Sequence, residues 1–178
     1  MDSWGPDWYC CQFGGLAPYP SRVRARRRII GTIGERDPLT TRARGRRLFD
    51  DARELLNLPK SHVSFALITN GASDTQRNTL RILGIGEKFD TVVISGEVGI
   101  AKPDPSIFGL ALQKLGVEPE SAWHVGDSLG TDVAGALGAG LVAVWLNRAG
   151  VNRKEGDPRP DYEIQSLKEL TSLIPVQT

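Results

Sequence analysis

From Leu48 onward, apolar and polar positions alternate between two rhythms. LFDDARELLNL carries apolar residues at helical spacing, and HVSFALIT is a continuous β-branched run that stops at Asn70-Gly71. SDTQRNTLRILG opens on Ser73 with Gln76 three positions later, the spacing of a capping box, and closes on Gly84. DTVVIS predicts a second strand. DPSIFGLALQKLG predicts a helix with Asp104 as N-cap, Pro105 at its first position and Gly116 at its end. SAWHV predicts a strand, TDVAGALGAG a small-residue helix and LVAVWLN another strand; YEI and SLKELTSLI add a short strand and a final helix. The strands are apolar throughout rather than alternating, which is the mark of strands buried on both faces. The expected architecture is therefore α/β, a doubly wound parallel sheet covered by helices on both sides. Right-handed crossovers then bring the carboxyl ends of all strands to one edge, where such sheets bind ligands.

Residues 1–47 follow neither rhythm. They hold ten arginines, no lysine and four acids, a net charge of +6, around one apolar patch at Ile29–Ile33. Residues 48–178 hold twelve basic and seventeen acidic residues, a net charge of −5, so the overall +1 hides a basic head and an acidic body. We expect 1–47 to be a poorly ordered Arg-rich segment set apart from a core at 48–178. A nucleic-acid-binding arm is the alternative, since clustered arginines neutralise phosphates, but basic runs are more often simply solvated. Arg-rich, Lys-free sequence is also what a shifted reading frame in GC-rich DNA gives. Cys10 and Cys11 are the only cysteines and, being adjacent, are poorly placed to pair. No apolar run reaches membrane-spanning length and no secretory leader is recognisable, so the expected location is the cytoplasm.

Three stretches fall on the predicted binding edge. Thr69-Asn70-Gly71 ends a strand just ahead of a helix, where a hydroxyl and backbone N–H groups suit an anion; alone, it reads more simply as a turn. Lys102, between a loop and the proline-stiffened start of the next helix, offers a point charge for a phosphoryl oxygen, though a lone lysine is usually only solvated. Asp127 follows Gly126 at a strand end and offers a hard oxygen of the kind Mg²⁺ takes. Asp132, one helical turn on, either supports a metal site or only complements a helix dipole. His124, inside an apolar strand, reads as a core histidine. Trp123 and Trp145 read as packing, and Asp161 has no evident role.

In this order and spacing, LITNG, VGIAKPDP and HVGDSLGTDVAGALGAG resemble the haloacid dehalogenase-like superfamily, over about residues 48–178 and most closely its capped phosphatases and nucleotidases. The resemblance implies a Rossmannoid fold and Mg²⁺-dependent hydrolysis of a small phosphorylated metabolite through an aspartyl-phosphate. It places Thr69, Asn70, Gly71 and Lys102 on the phosphoryl group, Thr69 and Lys102 being catalytic, with Asp127 on the metal and Asp132 supporting it. It also implies a first motif, Asp-x-Asp-x-Thr, at the end of a central strand, which supplies the nucleophile and the general acid/base. No such motif occurs here: in Phe49-Asp50-Asp51-Ala52 an alanine stands where the second acid is needed, and Asp37 has no acid two positions on. The residues ahead of Leu48 are also too few for both that strand and a helical cap, so we expect the cap to be absent and activity to be impaired. Without the central strand two apolar strands lose a partner, which is costly for buried N–H and C=O groups. We expect either that Arg28–Ile33 fills the gap, setting Gly31–Gly34 rather than a carboxylate near the nucleophile's position, or that the gap stays open. The alternatives to an enzyme are a non-catalytic core that binds Mg²⁺ and phosphate, and the basic-armed nucleic-acid binder.

Overall fold

Arg27–Thr32 (β1) lies at the centre of a parallel sheet. It pairs with Val63–Thr69 (β4) on one side, Ile29 opposite Phe65 and Thr32 opposite Ile68. On the other side it pairs with Ala122–Gly126 (β6), Ile29 opposite Trp123 and Gly31 opposite Val125. Thr91–Ile94 (β5), Val142–Leu146 (β7) and Tyr162–Ile164 (β8) complete six strands in the order β5-β4-β1-β6-β7-β8. The patch inside the Arg-rich stretch thus fills the central gap, and the two strands beside it keep their hydrogen bonds. This computed structural model describes residues 27–32, 40–41 and 47–173. Most of the Arg-rich segment, and with it the reading of a disordered or nucleic-acid-binding arm, lies outside the described residues. Thr40–Thr41 (β2) and Arg47–Leu48 (β3) form a separate two-residue antiparallel pair.

Successive β1 side chains enter two separate cores, as a pleat requires. Ile29 joins Phe65, Leu67, Val125 and Val144 beneath the helices Asp50–Leu56 (α1) and Leu167–Leu173 (α6). Ile30 joins Ala66, Ile68, Val93 and Ala143 beneath Pro105–Leu115 (α4) and Ala134–Gly138 (α5). Both isoleucines are buried, and each contributes about 2 kcal/mol of apolar transfer. Ser73–Leu83 (α2) follows β4, and the single turn Ser95–Val98 (α3) follows β5. Among the described residues no helix is long and apolar enough to cross a membrane.

Helix ends follow sequence chemistry in one case and depart from it in another. Asp104 caps α4 by accepting from the Ser106 N–H at 2.9 Å, Pro105 occupies the first turn, and Gly116 closes it at φ 63°. The capping box expected at Ser73 does not form. Ala72 occupies the N-cap position of α2, the Ser73 hydroxyl donates to Glu97, and the Gln76 amide donates to the Asn70 carbonyl at 3.3 Å. A charged acceptor from α3 and an open loop carbonyl take the two side chains that would have capped the helix.

Asp161, without an evident role in the sequence, fastens β8 to β7. Its N–H donates to the Ala143 carbonyl, and its carboxylate accepts from the Ala143 N–H at 2.7 Å. At the opposite edge of the sheet Asp90 does the same for β5 against Phe65 of β4, accepting at 2.9 Å. Each carboxylate extends a ladder by one rung beyond its strand.

Candidate active site

The carboxyl ends of β4 and β6 flank that of β1, and both run into turns that carry polar groups. On the β4 side, Thr69 is fully buried and Asn70 and Gly71 form the turn into α2. The turn is pinned from two directions. The Gly71 N–H donates to Ser95 Oγ at 2.9 Å, and the Gly96 N–H donates to the Gly71 carbonyl at 3.1 Å. A Cβ on Gly96 would lie 2.7 Å from that carbonyl oxygen, so only glycine permits the approach. From the other side, Asn70 Oδ1 accepts from the Lys102 N–H at 2.9 Å and Asn70 Nδ2 donates to the Lys102 carbonyl at 3.0 Å. Ser95 and the pairing of Asn70 with Lys102 have no signal in the sequence, because both are contacts between loops far apart in the chain.

Lys102 is buried and its ammonium lies 2.7 Å from Asp132 Oδ1. Asp132 reaches it through an unusual turn. Leu129–Val133 winds as a π-type helix before α5, in place of the regular helix that the small-residue pattern predicts. The Asp132 and Val133 N–H groups both donate to the Ser128 carbonyl, and the Thr131 N–H donates to Ser128 Oγ at 3.3 Å. The wider turn brings the Asp132 carboxylate back under the strand end, where Oδ2 accepts from the Ser128 N–H at 3.1 Å. Gly126 makes room for it: a Cβ there would lie 2.3 Å from Asp132 Cγ. Gly135 makes room in the same way for the Phe108 ring, 2.5 Å from where its Cβ would be.

His124 is the core histidine the sequence suggests, buried and edge-on to Phe108 at 4.8 Å between centroids. It also touches the site, with Nε2 at 3.4 Å from Asp132 Oδ1, while Nδ1 has no partner among the described residues. Burial lowers its pKa, against the pull of Asp132, and holds the imidazole neutral near pH 7. Burial by itself would raise the Asp132 carboxyl. The His124 hydrogen bond and the Lys102 charge outweigh it and hold Asp132 well below the usual carboxylate range. With His124 neutral, the charge that keeps Asp132 ionised is the Lys102 ammonium, and the imidazole adds a hydrogen bond.

Asp127 is half-buried at the end of β6, and its carbonyl accepts from the Trp145 indole N–H at 3.0 Å. Trp145 therefore packs, as expected, and also fixes the backbone that aims Asp127. The donor set bears on Mg²⁺, the ion the sequence resemblance implies. Both Asp132 oxygens are engaged by Lys102, His124 and Ser128, so a metal role suits Asp132 less than Asp127, which offers a hard oxygen donor at the strand end. No group of three or more His, Cys, Asp and Glu gathers anywhere among the described residues. This chemistry fits a magnesium ion that takes one protein carboxylate and completes its shell with water and phosphate oxygens.

A sequence model of the haloacid dehalogenase-like hydrolases matches residues 22–140. The chain belongs to this family. Among its relatives is human N-acylneuraminate-9-phosphatase, 38% identical over 136 residues that make up 76% of this chain and 55% of that protein. The phosphoserine phosphatase of Thermus thermophilus is 45% identical over 108 residues, 61% of this chain and 43% of its own length. The crystal structure of a HAD phosphatase from Thermococcus onnurineus superposes with a TM-score of 0.65 at 38% identity, covering 71% of this chain and 57% of that one. The chain thus spans about half the length of the curated relatives it matches. In this haloacid dehalogenase-like chain the matched region includes β1, so the family pattern begins ahead of Leu48.

Proposed function

We propose that this haloacid dehalogenase-like chain binds a small phosphomonoester, with Mg²⁺, at the edge formed by Thr69, Lys102 and Asp127, and that its hydrolysis through an aspartyl-phosphate is impaired. Thr69 offers its hydroxyl and the Asn70–Gly71 turn to the phosphoryl oxygens, Lys102 offsets their charge, and Asp132 keeps Lys102 charged and oriented. Bound magnesium supplies further charge compensation at the phosphate, with Asp127 as its protein ligand.

The observation that carries the proposal is the content of β1. Arg27–Thr32 occupies the central position between β4 and β6, yet it holds no carboxylate to attack phosphorus. Phosphate recognition and nucleophile therefore part company: the residues on the flanking strands suit the first, and β1 does not supply the second. Relatives named for a sugar-acid phosphate and for phosphoserine support a small phosphomonoester without choosing between them.

The test is Mg²⁺-dependent phosphate release from p-nitrophenyl phosphate, with inorganic phosphate binding measured by calorimetry, for the wild type and Asp127→Asn. We expect magnesium-dependent phosphate binding that Asp127→Asn weakens, and turnover no greater than that of the variant. Magnesium-dependent turnover lost in Asp127→Asn would mean that a nucleophile exists outside β1 and would overturn the impairment. Absence of phosphate binding by folded protein would overturn the site itself.

A further inference from the structure

Lys102 lies in the turn between α3 and α4, outside the sheet, so no strand ladder holds its backbone. Its two backbone hydrogen-bonding groups meet one side chain instead. Asn70 Oδ1 accepts from the Lys102 N–H and Asn70 Nδ2 donates to the Lys102 carbonyl, at 2.9 and 3.0 Å. A primary amide set against a peptide unit in this way reproduces one rung of a β-ladder across 32 residues of sequence. The pairing also fixes the amide's direction: turned over, it would set donor against donor and acceptor against acceptor. Asn70 is itself held, its carbonyl accepting from the Gln76 amide at 3.3 Å. Beyond this rung the Lys102 side chain runs inward to Asp132, and both residues are almost wholly buried.

We infer that Asn70 is a positioning residue for Lys102, a role that leaves the ends of its amide on Lys102 rather than on a bound phosphate. Both amide ends are occupied by the Lys102 backbone, so a direct phosphate contact would have to break the rung. The inference deepens the phosphate-site proposal, on which only the relevance of Lys102 to an anion rests; the seating of Lys102 stands independently.

The first readout is competitive acetylation of lysines followed by mass spectrometry, in wild type, Asn70→Ala, Asn70→Asp and Gln76→Ala. Exposed Lys60, Lys114, Lys154 and Lys168 serve as internal references. Wild-type Lys102 should label far more slowly than these. In Asn70→Ala its labelling should rise about tenfold relative to the references, the factor that one ordinary hydrogen bond corresponds to. Gln76→Ala loosens the same turn without touching Lys102 and should leave its labelling unchanged. If Asn70→Ala does not fold, Asn70→Asp decides, since it keeps the shape and sets a carboxylate against the Lys102 carbonyl; Lys102 labelling should rise there too. Unchanged Lys102 labelling in a folded Asn70 variant, or an equal rise in Gln76→Ala, overturns the inference.

The second readout is inorganic phosphate binding in a double-mutant cycle. A positioning role predicts that Asn70→Ala adds nothing to the loss caused by Lys102→Ala. Additive losses would mean direct contact and overturn the inference. Absence of binding in wild type would overturn the phosphate site, and the labelling result would still decide the role of Asn70.

Discussion

The Lys102 ammonium and the Asp132 carboxylate, 30 residues apart in sequence, meet at 2.7 Å with both side chains almost fully buried. Few placements in a protein are less forgiving, because each charge is tolerable only while the other faces it.

Asp132→Asn should therefore cost about 3 kcal/mol, since it leaves a buried ammonium opposite a neutral amide. Urea unfolding at pH 7 checks this. The same pair predicts an acid signature. The folded pKa of Asp132 is lowered, so its contribution is fully present above the ordinary carboxylate value of about 4 and is lost as pH falls toward the folded value. The stability gap between wild type and Asp132→Asn should stay constant from pH 7 to about pH 5 and narrow below that. A gap that widens in acid would contradict the assignment.

Gly126→Ala should be among the most damaging of the single-methyl changes. The new Cβ would sit 2.3 Å from Asp132 Cγ, so strand or carboxylate must move, at a cost of about 2–3 kcal/mol. Gly31→Ala is the contrast: nothing among the described residues lies within 4 Å of a Cβ there, and stability should hold or rise by up to about 1 kcal/mol. Thermal melts of the two variants side by side separate close approach from glycine content.

Asp50 and Asp51 are neighbours with opposite expected fates. Asp51 is buried and accepts from the Arg148 guanidinium at 2.8 and 2.9 Å, from Ser166 Oγ at 3.0 Å and from the Leu167 N–H at 2.9 Å. It ties α1 to the end of β7 and the start of α6, with Arg148 also resting on the Phe49 ring at 4.2 Å. Burial would raise its carboxyl, but these bonds together lower it, so its contribution too is lost in acid rather than in base. Asp51→Ala should cost about 3 kcal/mol and exposed Asp50→Ala less than about 0.5 kcal/mol in denaturant titration.

Asp90 and Asp161 lie at opposite edges of the sheet and do the same work. Asp90→Ala and Asp161→Ala should each cost about 1 kcal/mol, and the double variant should show the sum within about 0.5 kcal/mol, because the sites share no partner. Strong non-additivity in chemical denaturation would show that the two edges communicate through the sheet.

Part of the local structure around the candidate site was legible before the fold. Thr69 ends β4 and Asp127 directly follows β6, Lys102 lies just ahead of α4, and the Asp104–Pro105–Gly116 punctuation of α4 is realised residue by residue. The misses share a physical cause. Ser73 was diverted from capping by Glu97, 24 residues away, and Asp51 found Arg148 at a separation of 97. Sequence spacing describes what a residue meets within its own element, and these partners come from other elements.

Strand and helix order, and the family to which they point, were determined by the sequence alone, because period and end chemistry are local properties of the chain. The expectation that an apolar patch in the Arg-rich stretch could replace the central strand was also legible, since two buried strand edges demand a partner. Only the tertiary structure decided that Ile29 and Ile30 feed two separate cores from that position, that a π-type turn carries Asp132 to Lys102, and that Asn70 grips the lysine's backbone. These depend on distances between segments, which no local pattern encodes.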